Sequence, residues 1–328
     1  MNQISIFTLK SLRKVYKKVF IHHPHPYDKG ITDPNKVSEL IYKLLASGKP
    51  CMIARFGSTE LYALTNYLGV TTKNPSIWKY IQGKQFAWWW EKNVATQMTR
   101  WSGFFPSTEN NLMKFGELML DDYKQCDCLG SWLRNEVFLS NINCHVTKFW
   151  LIFLDPFWVE KPWTRALAGK KVLVIHPFAE IIESQYHNRR KELFKNPFIL
   201  PEFKLITIKA IQSLGGKSDY KSWFDALEYM KGKMEKIDYD IALIGCGAYG
   251  FPLAAHAKRM GKQAVHIGGS LQLLFGIKGK RWENPNYAIR ARSVCPNLCY
   301  PNLFNEHWIR PTEYRSENAN SVENGCYW

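Results

Sequence analysis

No stretch of this 328-residue chain approaches the roughly 18 consecutive apolar residues that cross a bilayer, so nothing in it is expected to span a membrane. Cysteine pairs at metal-binding spacing are missing too. The eight cysteines stand at 51, 126, 128, 144, 246, 295, 299 and 326, and none forms Cys-x-x-Cys. That spacing speaks against a structural zinc site and against a disulfide framework. Cys51 and Cys246 sit in or beside apolar runs, where a thiol acts as a small filler. Internal repeats and low-complexity tracts are absent, which excludes a repeat array. No cleavable leader pattern opens the sequence, so a reducing cytoplasm is the expected compartment.

Acid is scarce as well. Asp and Glu number 28 against 44 Lys and Arg, a formal charge of +16, and such a field favours polyanions: nucleic acid, an anionic bilayer face or phosphorylated substrates. The cations are dispersed rather than gathered in one motif, so no specific nucleic acid is expected. What the chain has in quantity is apolar and aromatic surface. At 46% hydrophobic and 15% aromatic it is globular, and its length allows one large α/β domain or two small ones.

Residues 1–21 read as a basic amphipathic helix. Lys10, Arg13, Lys14 and Lys17 recur at helical spacing beside a stripe of Leu9, Leu12, Tyr16 and Val19. Such a helix either lies in the surface of an anionic membrane or packs on its own domain with a solvated basic face. His22, His23 and His25 alternate with Pro24 and Pro26, which favours an extended linker over a metal site. Residues 1–36 are therefore read as helix and linker, 37–283 as the main α/β domain, and 284–328 as an irregular C-terminal extension.

Within the main domain, Val37 to Leu45 reads as a helix, Cys51 to Phe56 as a strand, Asn110 to Tyr123 as a helix and Asp127 to Gly130 as a short strand. An aromatic insertion spans about 75–123. Its first part, Trp78 to Trp101, is expected to be helical, and the three rings of Trp88, Trp89 and Trp90 cannot all face one core. Phe149 to Leu154 is an apolar run. Four strands then follow, Val172 to Ile175, Lys204 to Ile208, Ile241 to Ile244 and Ala264 to Ile267, separated by three helices. This alternation predicts a doubly wound, mostly parallel Rossmann-like sheet with helices on both faces, plus the helical N-terminal segment. Ligands of such sheets bind at the strands' carboxyl ends.

Four strand-end segments carry candidate chemistry. The first is Arg55-Phe56-Gly57-Ser58-Thr59-Glu60. An arginine beside a glycine turn can fork onto a phosphate. Glu60 is either a general base or metal ligand, or ordinary complementation of a helix dipole. The second is His176-Pro177-Phe178, where the imidazole either meets a diphosphate, acts as an acid/base or simply packs. The third is Gly245-Cys246-Gly247-Ala248-Tyr249-Gly250, a Gly-x-Gly-x-x-Gly turn whose helix amides can hold phosphate, with Tyr249 available to stack on a base or sugar. The acidic residue expected at the end of the next strand is missing, replaced by His266, Gly268 and Gly269, so NAD is not expected. The fourth is the cationic loop Lys278-Gly279-Lys280-Arg281, which either closes over a diphosphate or is solvated.

The Arg55 to Glu60 turn, with the strand-glycine-helix-strand unit from Ile241 to Gly268, resembles the GT-D fold glycosyltransferases of bacterial surface-polysaccharide and glycoprotein assembly. The likeness covers roughly residues 50–270. It implies a nucleotide-sugar donor, UDP-linked, and a glycan or lipid-linked acceptor. In that family an Arg-x-Gly-Asp-x-Glu turn supplies the carboxylates that hold a divalent metal with the donor diphosphate. Here Ser58 replaces the aspartate, so the resemblance implies either a weak Mn²⁺ or Mg²⁺ site on Glu60 or replacement of the metal by Lys278, Lys280 and Arg281. Glu60 is the implied catalytic residue. The implied donor-binding set is Arg55, Gly57, Ser58, His176, Gly245, Gly247, Tyr249, Gly250, Lys278, Lys280 and Arg281. The expected location is cytoplasmic, peripheral on the inner membrane face through residues 1–20. The alternatives are an NADP-dependent oxidoreductase, or a non-catalytic nucleotide- or nucleic-acid-binding protein.

Overall fold

The computed structural model of the chain describes residues 2–20, 30–213, 218–312, 325, 327 and 328. The histidine linker at 22–26 and most of the tail from Arg315 onward lie outside the described residues.

Seven short apolar runs form one parallel sheet: β1 (Cys51–Ala54), β2 (Cys128–Ser131), β3 (Thr147–Trp150), β4 (Lys171–His176), β5 (Lys204–Lys209), β6 (Ile241–Ile244) and β7 (Gln263–His266). Their order is β3-β2-β1-β7-β6-β4-β5, and every pairing is parallel. β1, β6 and β7 are buried at all four positions. Continuous burial is what a central parallel strand covered on both faces requires.

The two faces separate by the strands' twofold side-chain alternation. Cys51, Ile53, Val172, Val174, Leu243 and Val265 pack on one side. They meet α2 (Pro34–Ala46) through Val37, Ile41 and Leu45, and α7 (Ala179–Arg189) through Ile181, Ile182 and Tyr186. Met52, Ala54, Leu173, Ile175, Ala242 and Ile244 pack on the other. There they meet α3 (Ser58–Val70), α6 (Glu109–Tyr123), α8 (Trp223–Glu235) and α9 (Gly250–Arg259). The fold is a doubly wound α/β sheet. Of the residues beyond 283, Ala291, Cys295, Leu298, Tyr300 and Trp308 pack onto the first face.

Two local expectations change. Phe149 to Leu154 is not one apolar element: β3 ends at Trp150 and a 3-10 turn takes Leu151–Leu154. The aromatic stretch 78–101 is not one helix either. It divides into α4 (Ile77–Ile81) and α5 (Lys92–Ser102), with an irregular connection between them. Gly83 turns the chain at φ 78°. The Asn66 side chain on α3 then takes over the backbone of the tryptophan run. Its amide donates to the carbonyls of Ala87 and Trp89 at 3.1 and 2.9 Å, and its oxygen accepts the Glu91 N–H at 2.9 Å. These three backbone groups are satisfied without helical bonds, so the segment stays irregular rather than helical. Trp88 and Trp89 join Tyr80, Ala87 and Leu9 in a satellite cluster under α1 (Gln3–Phe20), while Trp90 packs on the main core.

Candidate functional site

Connections leaving β4 and β6 diverge, one to the outer strand β5 and the other inward to β7. Such a divergence opens a crevice at the carboxyl ends of adjacent strands. A cleft of about 480 Å³ lies there. That volume is in the range of sites for nucleotide-sized ligands. Residues that follow each of the seven strands line it, joined by Trp101, Ser102 and Gly103 from the end of α5 and by Arg281, Tyr287, Tyr327 and Trp328.

The turn after β1 supplies the charged groups. Arg55 follows the last β1 residue, half-buried, with its guanidinium 5.2 Å from the Trp132 ring centroid. Trp132 is itself fixed, its indole N–H donating to the Phe56 carbonyl at 2.9 Å. Arg55 makes no ion pair or hydrogen bond with a described residue. Gly57 adopts φ −73° and precedes α3, placing Ser58, Thr59 and Glu60 in the first helical turn, where the backbone amides point outward. Ser58 is exposed, and Glu60 is 92% buried. The Glu60 carboxylate folds back over Gly57: a β-carbon on that glycine would stand 1.7 Å from Oε2. Thr59 donates to Oε2 at 3.1 Å and also shares a hydrogen bond with Ser102. Glu60 has no cation within ion-pair distance among the described residues.

The glycine turn after β6 is built differently. Gly245 extends the ladder by donating to the Ile175 carbonyl, and a β-carbon there would meet the Gly268 carbonyl at 2.6 Å and His176 at 2.9 Å. Gly247 has φ 57°, a conformation glycine adopts at no steric cost. Gly250 lies against the His266 ring, 2.2 Å from where its β-carbon would be. Tyr249 does not stand free to stack on a ligand. It is buried, its ring lies parallel to Trp223 at 4.9 Å, and its hydroxyl shares a 2.9 Å hydrogen bond with Ser213. Only part of its surface reaches the cleft.

His176 and His266 both line the cleft from beneath. Burial lowers His176 to about 3; burial, then the nearby Arg55 charge, lowers His266 to about 3. Each imidazole is therefore neutral at physiological pH. The Phe178 N–H donates to His176 Nδ1 at 3.0 Å, which puts the ring proton on Nε2. His176 thus offers a neutral donor, and an acid/base role near pH 7 does not fit its burial. Asp155, behind Arg55, is raised to about 6 by burial, against hydrogen bonds from Ser270 at 2.6 Å and Tyr300 at 2.5 Å.

The cationic loop contributes less to the cleft than its sequence suggests. Arg281 lines it, 5.1 Å from the Tyr327 ring. Lys278 and Lys280 do not. Lys278 lies 5.8 Å from the Phe304 ring, and the exposed Lys280 donates its backbone N–H to Trp328. The loop backbone is fixed by tertiary contacts: Ile277 and Lys278 pair with Ile309 and are held by the Gln272 amide, and Lys280 is hydrogen-bonded to Trp328.

The described side chains do not build a divalent-metal cage by themselves: no group of three or more His, Cys, Asp or Glu able to hold one occurs among them. Glu60 is the one carboxylate side chain in the cleft lining, with the hydroxyls of Ser58, Thr59 and Ser102 near it. A single carboxylate holds Mn²⁺ or Mg²⁺ only together with phosphate oxygens of a bound substrate and water. Sequence reasoning missed Trp132, Ser102, Tyr327 and Trp328 as cleft residues. Trp132 was detectable, because it follows β2 as Arg55 follows β1; Ser102 and the terminal pair arrive by tertiary folding and leave no local signal. Comparison of the chain with family models, with curated proteins and with solved structures finds no match.

Proposed function

We propose that the chain is a glycosyltransferase that moves a sugar from a nucleoside-diphosphate donor, UDP-linked, to a hydroxyl of a glycan or lipid-linked acceptor, as in bacterial surface-polysaccharide synthesis. The observation that carries this reading is an unpaired guanidinium and an unpaired carboxylate sharing one cleft at the carboxyl edge of the sheet. Arg55 and the amides opening α3 are suited to a diphosphate, and Arg281 stands on the opposite loop. In the proposed transfer the bond from the anomeric carbon to the diphosphate oxygen breaks while the acceptor oxygen bonds to that carbon. The acceptor proton passes to Glu60, and the nucleoside diphosphate leaves with its new charge held by Arg55 and the α3 amides. Holding that charge with preorganised donors is usually the largest single contribution to lowering such a barrier. Trp101, Trp132 and Tyr287 offer ring faces for the sugar or base.

The test is a thermal-unfolding screen with UDP-, GDP-, dTDP- and CMP-sugars, with and without Mn²⁺. A ligand that binds only the native state raises its melting temperature by mass action. A UDP-sugar is expected to raise it, with or without Mn²⁺, and Arg55→Ala to remove the rise. No response to any nucleotide sugar, or the same response in Arg55→Ala, overturns the reading.

A further inference from the structure

The helix α1 has two apolar faces, and the fold uses only one. Leu9 and Tyr16, half of the stripe visible in the sequence, turn inward: Leu9 is buried with Tyr80 and Ala87, and Tyr16 meets Trp78 edge-on at 5.6 Å. Arg13 lies 4.5 Å over the Tyr80 ring, and Lys10 is paired with Glu91. The opposite face is left outside. Ile4, Phe7 and Val15 are 78%, 72% and 60% exposed, with Leu12 and Val19 about half exposed. At 100° per residue these five span an arc of roughly 140°; Lys14 falls about 20° outside the Phe7 edge of that arc and Lys18 about 20° inside it. Neither lysine has an ion-pair partner among the described residues. The apolar surface continues past the helix, because Tyr16 packs tilted against exposed Phe20 at 4.7 Å and edge-on against exposed Trp78, next to exposed Ile77.

We infer that α1 together with the α4 ridge docks on an anionic lipid bilayer. The aliphatic arc enters the boundary of the acyl chains, Lys14 and Lys18 meet lipid phosphates, and Trp78 sits at headgroup depth. Charge complementarity chooses this occupant. The protein carries a formal +16, two unpaired lysines stand at the Phe7 end of the arc, and an exposed indole beside aliphatic groups suits a surface that is apolar within and wet outside. Because Leu9, Arg13 and Lys10 fasten α1 to the rest of the protein, the whole domain is held in one orientation, and the docking is independent of what the cleft transfers.

Co-sedimentation of the full chain with vesicles tests it, comparing pure phosphatidylcholine with a mixture containing roughly one-third phosphatidylglycerol. The expected result is binding to the mixed vesicles, none to the neutral ones, and loss at high salt. Phe7→Glu with Val15→Glu is expected to lower vesicle affinity at least tenfold, and Lys14→Gln with Lys18→Gln by roughly fivefold per lysine. Both double variants should keep the melting temperature. A chain that stays in the supernatant overturns the inference, as do variants that sediment like the parent. A parent that is dimeric, with monomeric glutamate variants and no vesicle binding, overturns it in favour of a second copy covering the face.

Discussion

Two strand-to-helix turns form the cleft, and they differ in what their glycines permit. In the turn after β6, Gly245 and Gly250 let backbone, helix and the buried imidazoles approach one another, and Tyr249 closes the corner on Trp223. In the turn after β1, Gly57 makes room for a carboxylate: the Glu60 side chain fills the space a β-carbon would take. The first turn uses its glycines for close packing, and the second leaves room for a charged side chain. A Gly-x-Gly-x-x-Gly pattern therefore marks where this sheet is tightly closed, and the less regular Arg55–Glu60 segment marks where it is charged.

The comparison is sharpened most by Glu60→Gln. It keeps the shape of the side chain and removes its basicity, so sugar transfer measured by released UDP is expected to fall roughly 10²- to 10⁴-fold with the melting temperature unchanged. Full activity in that variant breaks the contrast. The next test adds the same methyl group to each turn. Gly250→Ala pushes a β-carbon against the His266 ring, whose Nδ1 is fixed 3.2 Å from the Ile244 carbonyl. It is expected to cost about 3 kcal/mol in denaturant unfolding. Gly57→Ala meets only the movable end of Glu60, and its φ of −73° suits alanine. It should cost under about 1 kcal/mol while displacing the carboxylate and lowering transfer at least tenfold. Equal loss of stability in both would show that the two turns are packed alike.

The groups beneath the turns separate by pH. His176 and His266, beside the glycine turn, are held near 3 instead of the ordinary 6.5. The folded state binds fewer protons than the unfolded chain between those values, so their contribution is present above pH 6.5 and is lost as pH falls toward 3. Asp155, behind Arg55, runs the other way. It is raised from 3.8 to about 6, so its contribution is present below about pH 4 and is lost as pH rises through about 6. Asp155→Asn removes the second dependence. Its stability relative to the parent should improve by roughly 2–3 kcal/mol between pH 4 and pH 7 in urea titrations. A constant difference across that range would mean that Asp155 is ionised throughout. The smallest effect belongs to Tyr249→Phe. It loses the hydroxyl contact with Ser213 but keeps the stacked ring, so it should cost about 1 kcal/mol, and UDP-sugar affinity should not change.

The doubly wound sheet was legible because central parallel strands must be apolar on both faces. Val172 to Ile175, Ile241 to Ile244 and Ala264 to Ile267 are therefore visible as short apolar runs. β3 was not visible as a strand, because it lies at the sheet edge and buries only Phe149 fully. The tryptophan run was misread as helix because the group that bonds its backbone in a non-helical path, Asn66, lies more than twenty residues earlier. In the cleft, strand ends identified Arg55, Glu60, His176 and Gly245, since position after a strand is a local property. Whether a side chain is open to the cleft or locked is not local. Tyr249 is locked by Trp223 and Ser213, and the backbone that carries Lys278 and Lys280 is fixed by the Gln272, Ile309 and Trp328 contacts.

One side chain gives α3 a second task. Glu60 opens that helix, and Asn66, six residues on and about 9 Å along its axis, grips the tryptophan run against which α1 rests. The same rod that carries the carboxylate thus also supports α1, as one unbroken helix from Ser58 to Val70. Under the proposed docking and transfer it works as a gauge: helix pitch fixes the height of the cleft above the docked surface, and the reach of an acceptor has to match it.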